Sequence, residues 1–212
     1  VIRWRAIRWR GILATGLVAL GPVGIAPTDV DQGSFTITVG GVRTGRETFV
    51  IRRTGAGADA GYLASGTALY PDRRLAPALT TDATGVPTTF VMDVRSGTQR
   101  TARVSAQMTR GLFSVRVQTA TGESMRELLL RPRTVLLDDD IFAVYFFVGL
   151  GHRSGAISVV DPRRGSETAG ALSDIGPDSL TIGSRVASTE HLRLVLPGAE
   201  HRDLWCDGAG RV

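Results

Sequence analysis

The stretch that most restricts this fold is 135–151, VLLDDDIFAVYFFVGLG, in which three of the chain's seven Phe and Tyr145 fall within 142–147. Ile141, Val144, Phe146, Phe147 and Val148 leave no polar face, so a helix here must be covered on most sides. Asp138, Asp139 and Asp140 precede the apolar run as a cap and a complement to the helix dipole, and Gly149 and Gly151 stand where a stop is expected. The pattern predicts one buried helix near residues 139–149, far short of the ~20 residues that cross a bilayer. A buried strand is the competing reading, because Val, Ile and aromatics favour it and so short a run cannot separate the two. Three consecutive carboxylates point in different directions, so a cap is preferred to a cation site, and no metal or cofactor is expected.

The rest of the chain alternates with a period of two between glycine-marked turns. Residues 34–39 (SFTITV) lead through Gly40-Gly41, a strong hairpin turn, into 42–53. Further strands are read at 62–70, 74–81, 87–95, 100–109, 112–121 and 124–130, then at 156–160, 179–187, 190–196 and in the terminal HRDLWC. Residues 28–32 read as a linker, 166–177 as a loop, and the last residues as the start of another strand that Val212 cuts short. Glu47 shares a face with Phe49 and Ile51 and reads as an edge charge in preference to a carboxylate aimed into a cavity. About ten hairpin-linked strands give a mainly β fold, a single antiparallel and strongly curved sheet forming a half-barrel or open barrel. The buried helix would lie on its concave side.

Charge separates a leader from a body. All 25 basic residues are Arg; Arg3, Arg5, Arg8 and Arg10 precede Gly11, and every acidic residue follows Ala26. Residues 27–212 hold 21 Arg against 20 acids, with no basic stripe interleaved with aromatics, so nucleic acid is set aside. Residues 1–26 have the layout of a secretory signal peptide: a basic start, an apolar run too short and too rich in Gly and Pro to anchor, and small residues at Gly24 and Ala26. The expectation is export to the periplasm or envelope, with 27–212 as one domain and no stable membrane span. Cys206 is the only cysteine, so no internal disulfide forms, and it reads as a packed thiol beside Trp205.

Three segments, GSFTITVGGVRTGRETFVIRR, LLDDDIFAVYFF and LWCDGAGRV, resemble a group of uncharacterised bacterial exported proteins that is itself similar to the lipoprotein-carrier (Lol-type) half-barrels. The resemblance implies an incomplete β-barrel with an apolar cavity for acyl chains, and a lipid or acylated protein as partner. The chain departs from those carriers in showing one clear helix where they have more. The expected ligand-binding side chains are Phe142, Tyr145, Phe146, Phe49 and Phe113. The alternative is a structural or protein-interaction module of the envelope without a ligand. No enzyme is expected: His152, His191 and His201 lack metal-ligand spacing, no nucleophile elbow occurs, and Glu190-His191 and Glu200-His201 read as exposed strand-end pairs.

Overall fold

The computed structural model describes residues 5–7, 27–151, 154–182 and 184–212. The expected signal peptide, 1–26, lies outside them except for three residues, and His152 lies outside them as well. Nine strands form one antiparallel sheet in which spatial order follows chain order. They are β1 (Arg5–Ile7), β2 (Thr28–Val39), β3 (Val42–Thr54), β4 (Gly61–Leu69), β5 (Arg74–Asp82), β6 (Pro87–Ser96), β7 (Gln99–Thr109), β8 (Leu112–Thr119) and β9 (Gly122–Leu128). The sheet is open: β1 and β9 are its two ends. Residues 28–32, expected as a linker, belong to β2, where Thr28 pairs with Arg53.

Turn chemistry and alternation explain this sheet. Gly40 and Gly41 both take positive φ, 58° and 83°, and Arg110-Gly111 does the same at 52° and 82°. That is the backbone twist a two-residue hairpin needs. Alternation then sorts the side chains. Phe35, Glu47, Ala68, Leu75, Val94 and Ala102 form one inward row across β2 to β7. One position along β2 to β6, and two along β7 where the register shifts, the outward row reads Thr36, Arg46, Leu69, Arg74, Arg95 and Arg100.

The expectation of a single sheet is corrected by a second one, ordered β10 (Thr134–Leu136), β11 (Gly155–Asp161), β12 (Ser166–Ile182), β13 (Arg185–Val195) and β14 (Arg202–Cys206). β10 and β11 are parallel and the other pairs antiparallel. A parallel pair requires a crossover connection. That connection is the aromatic stretch, which is buried because it runs between the two sheets. Tyr62 of the first sheet meets Phe146 and Phe147 edge-on, at 5.8 and 6.1 Å between centroids. On the other side, Gly149 lies against Cys206 and Gly210.

The helix is shorter than the expected 139–149. A 3-10 turn at Ala143–Tyr145 runs into a single α-helical turn, α1, at Phe146–Gly149. Asp138–Asp140 stand outside it and cap nothing in it; the Asp138 carboxylate instead accepts the amide of Asp140, and Asp138 and Ile141 bridge. That tight turn occupies the residues before Phe142, the first to take right-handed helical angles in this segment's 3-10 turn.

Two further expectations change in the second sheet. Residues 166–177 are the first part of the longest strand, and the following turn falls between Ile182 and Arg185, not near 188. Gly170, Gly176 and Pro177 read as breakers, yet β11 begins opposite Leu172 and reaches no further along β12, so Pro177 pairs with β13 alone and no ladder bond is lost on its other side. The terminal residues do not begin a strand. Asp207 accepts the amides of Ala209 and Arg211 and the Arg211 guanidinium, which closes the end of the chain into a turn.

This close crossing gives a direct test. A Cβ at Gly149 would lie 2.4 Å from the Gly210 carbonyl oxygen and 3.1 Å from the Cys206 sulfur, whereas one at Gly208 meets nothing within 4 Å. Gly149→Ala is expected to cost about 1–3 kcal/mol in urea unfolding, the usual cost of overpacking. Gly208→Ala is expected to change stability by less than about 0.5 kcal/mol.

Candidate functional site

All nine residues from Ile141 to Gly149 are buried, and Phe142, Tyr145 and Phe146 retain only 5%, 6% and 3% of their exposure. Phe142 stacks on Tyr145 at 6.2 Å, and Phe146 meets Phe147 edge-on at 5.3 Å. Phe49 is half-buried and stacks on Phe35 at 4.9 Å, while Phe113, on β8, is fully buried. The five expected ligand-binding side chains thus all belong to, or pack against, one continuous apolar core. A shallow concavity lies on the outer side of β5 and β6, at Arg74, Ala76, Asp93, Arg95, Gly97 and Thr98, and none of the five lines it.

The ionisable groups around the start of this segment form a clamp. Glu47, expected at an edge, is completely buried. Its carboxylate accepts the amides of Phe142 at 2.6 Å and Ala143 at 3.3 Å. These are orphan donors at a helix start, which need an acceptor where water does not reach. A strand some hundred residues earlier supplies the cap that the three Asp were expected to supply. Burial pushes the Glu47 carboxyl up to about 7, against the opposing pull of the two amides.

The three Asp each meet arginine, and two of them share Arg163. Asp138, with no exposed side-chain surface, receives a fork from Arg163: Nε to Oδ2 at 2.6 Å and Nη2 to Oδ1 at 2.5 Å. Asp140 takes Arg163 at 2.7 Å and Arg73 at 2.9 Å, and its carbonyl accepts the Tyr70 hydroxyl at 2.9 Å. Asp139 is half-exposed and pairs with Arg202 at 2.7 Å, while Arg202 also donates to the Tyr145 hydroxyl at 2.5 Å. Burial raises Asp138 above the usual carboxylate range although Arg163 pulls the other way. At Asp140 burial acts in the same sense, but Arg163 and Arg73 win and hold it below. Among the described residues, no group of three or more His, Cys, Asp or Glu is placed to hold a metal ion.

The clamp joins four separate stretches of the chain to the start of the aromatic segment. A buried acid titrating near neutrality is a candidate general base. Glu47, however, has both oxygens engaged by backbone amides and no surface open to a substrate. Sequence reasoning missed Arg73, Arg163 and Arg202 because each lies far from the Asp residues along the chain. The Asp161-Pro162-Arg163-Arg164-Gly165 stretch carries local turn signals, and nothing within it points to Asp138 or Asp140.

A second cluster lies on β13 and β14. His191, expected as an exposed strand-end residue, is mid-strand with its side chain 14% exposed; it stacks on Trp205 at 4.7 Å and its Nε2 lies 3.0 Å from Asp203. Arg193 donates to the same carboxylate at 2.8 Å, and half-exposed His201 approaches it at 3.4 Å. The fold therefore brings His191 and His201 to one aspartate. Asp203 engages the His191 Nε2, and the Trp205 indole donates to Asp178 at 2.7 Å. Cys206 is buried.

No protein-family model matches the chain, and comparison with curated proteins and with solved structures returns no match.

Two substitution series test the clamp. Because the Glu47 value is raised from 4.5 to about 7, the folded chain keeps a proton that the unfolded chain releases in that window. The stability tied to this group is full below the window and is lost as pH rises through it. Unfolding free energy is expected to fall by roughly 2–3 kcal/mol across that range, and Glu47→Gln to abolish that decline. Glu47→Leu leaves both amides without an acceptor and is expected to cost about 2–5 kcal/mol even at low pH. In the aspartate series, Asp138→Ala removes the buried carboxylate that takes the Arg163 fork and the Asp140 amide, and is expected to cost about 3 kcal/mol. Asp139→Ala, at a half-exposed pair, should cost under about 1 kcal/mol. Equal losses at the two positions would contradict the clamp.

Proposed function

We propose that this chain is a non-catalytic, exported module of the cell envelope that works through the outer faces of its sheets and fills its interior with its own residues. The observation that carries this reading is the pinned aromatic segment. It is buried from Ile141 to Gly149, fixed at its start by Glu47, Arg73, Arg163 and Arg202, and fixed at its end against Gly210. A lid that opens for a guest would have to break a buried ion pair and two buried amide hydrogen bonds at once, each costly.

The first sheet curls around the segment in this reading. Inner-face side chains of β2 to β8 join one apolar cluster with residues 141–148, and seven strands laid flat at ~4.8 Å spacing would span about 29 Å. The resemblance to the lipoprotein carriers rests on the three sequence segments GSFTITVGGVRTGRETFVIRR, LLDDDIFAVYFF and LWCDGAGRV. Export is supported by the layout of residues 1–26. Among the described residues no helix is long and apolar enough to cross a membrane.

The competing reading puts a lipid or other apolar ligand against Phe142, Tyr145, Phe146, Phe49 and Phe113. Native mass spectrometry of protein purified without detergent separates the two. The expected spectrum is that of the bare polypeptide, with no lipid in a solvent extract. One acyl-chain lipid per chain would overturn the self-filled interior.

A further inference from the structure

The outward row across the first sheet holds an arrangement that no linear scan of the sequence displays. Arg46, Leu69, Arg74, Arg95 and Arg100 are successive cross-strand partners on β3, β4, β5, β6 and β7, and all five are exposed. At ~4.8 Å per strand the arginines span about 19 Å measured along the sheet. Arg103 stands on the same face, opposite Asp93, in the next outward row.

Little neutralises them. Arg46 reaches the Ser34 hydroxyl at 3.4 Å and Arg95 the Thr98 carbonyl at 3.1 Å. Among the described residues Arg74 has no carboxylate within ion-pair reach. Asp93 is the acid in the two rows across β5 to β7, at 3.9 Å from Arg100 and 3.6 Å from Arg103, and its Oδ1 is enclosed without a hydrogen bond. Asp72, at the neighbouring turn, is taken by Arg73. The shallow concavity already described lies on this row, between Arg74 and Arg95.

A second feature shares this end of the sheet. Val39 and Val42, on the hairpin beside Arg43, are 54% and 67% exposed, and Leu69, within the arginine row, is 50% exposed. Cationic side chains in a row beside protruding aliphatic ones suit a surface that is anionic at its head groups and apolar below them. They suit nucleic acid poorly, because the rows carry no aromatic side chain on which a base could stack.

We propose that this end of the first sheet docks peripherally on an anionic lipid surface, with Arg46, Arg74, Arg95 and Arg100 on the head groups and Val39, Val42 and Leu69 entering the interface. The proposal shares with the functional reading only the use of an outer face. Lipid extraction tests the interior and vesicle binding tests this surface, so the two can fail separately.

The experiment is flotation of the intact protein with vesicles of phosphatidylcholine alone and of phosphatidylcholine mixed with phosphatidylglycerol. The wild type is expected to float with the anionic vesicles only and to be released by high salt. Each arginine is worth about fivefold in membrane partition, so the Arg74→Gln, Arg95→Gln, Arg100→Gln triple variant should lose about a hundredfold. Val42→Asp should lose binding without any change in arginine content. A triple control, Arg52→Gln, Arg116→Gln, Arg185→Gln, removes equal charge elsewhere and should keep most of it. All these positions are exposed, and thermal melting verifies that every variant is folded. Equal flotation with neutral vesicles, no flotation at all, equal losses in the two triples, or tight binding of a single-stranded oligonucleotide in place of vesicles would each overturn the proposal.

Discussion

Two backbone amides, those of Phe142 and Ala143, start a helical turn in a place that water does not reach. Everything else around the aromatic segment follows from how they are satisfied. The acceptor is the Glu47 carboxylate, from an inward position of β3 between Phe35 and Ala68. Placing a carboxylate in an apolar row is expensive, and burial drives its proton affinity toward neutrality. Without it the helical turn would leave two unpaired donors in the core. The position of the crossover thus depends on one residue in a strand made long before it.

The crossover also decides how the two sheets meet. A parallel pair at β10 and β11 forces the connection to leave the second sheet and return, and its greasy middle packs against the inner face of the first. Its acidic start then lies where the β4–β5 turn, the β11–β12 turn and the start of β14 converge. Each of those places contributes one arginine: Arg73, Arg163 and Arg202. Three consecutive carboxylates, which would repel one another on a bare helix start, are tied to three arginines from separate chain segments, with Arg163 shared by two of them.

Much of the first sheet was legible in the sequence because period-two alternation and Gly-Gly or Arg-Gly turns are local signals. The second sheet was less so. Gly170, Gly176 and Pro177 carry breaker signals that a strand paired on one side can ignore, and most of β12 is exposed on both faces, so no alternation marks it. The site was legible in part. The burial of Phe142, Tyr145 and Phe146 follows from their composition. The face of Glu47 could be read from its neighbours Phe49 and Ile51, but its role as a cap depends on a contact no local rule anticipates. Asp138–Asp140 look like a helix start in one dimension and belong to arginines in three. The outward arginine row is hidden for the same reason: its members are adjacent across strands and scattered along the chain.

The central claim is that the aromatic segment is a fixed part of the core, held at Glu47. Native-state hydrogen exchange of the Phe142 and Ala143 amides across low denaturant concentrations tests it most directly. If the segment is fixed, both amides exchange only through global unfolding, with the same steep denaturant dependence as the core amides of Leu79 and Phe90. Exchange of Phe142 and Ala143 through a local opening insensitive to denaturant, while Leu79 and Phe90 stay protected, would contradict it.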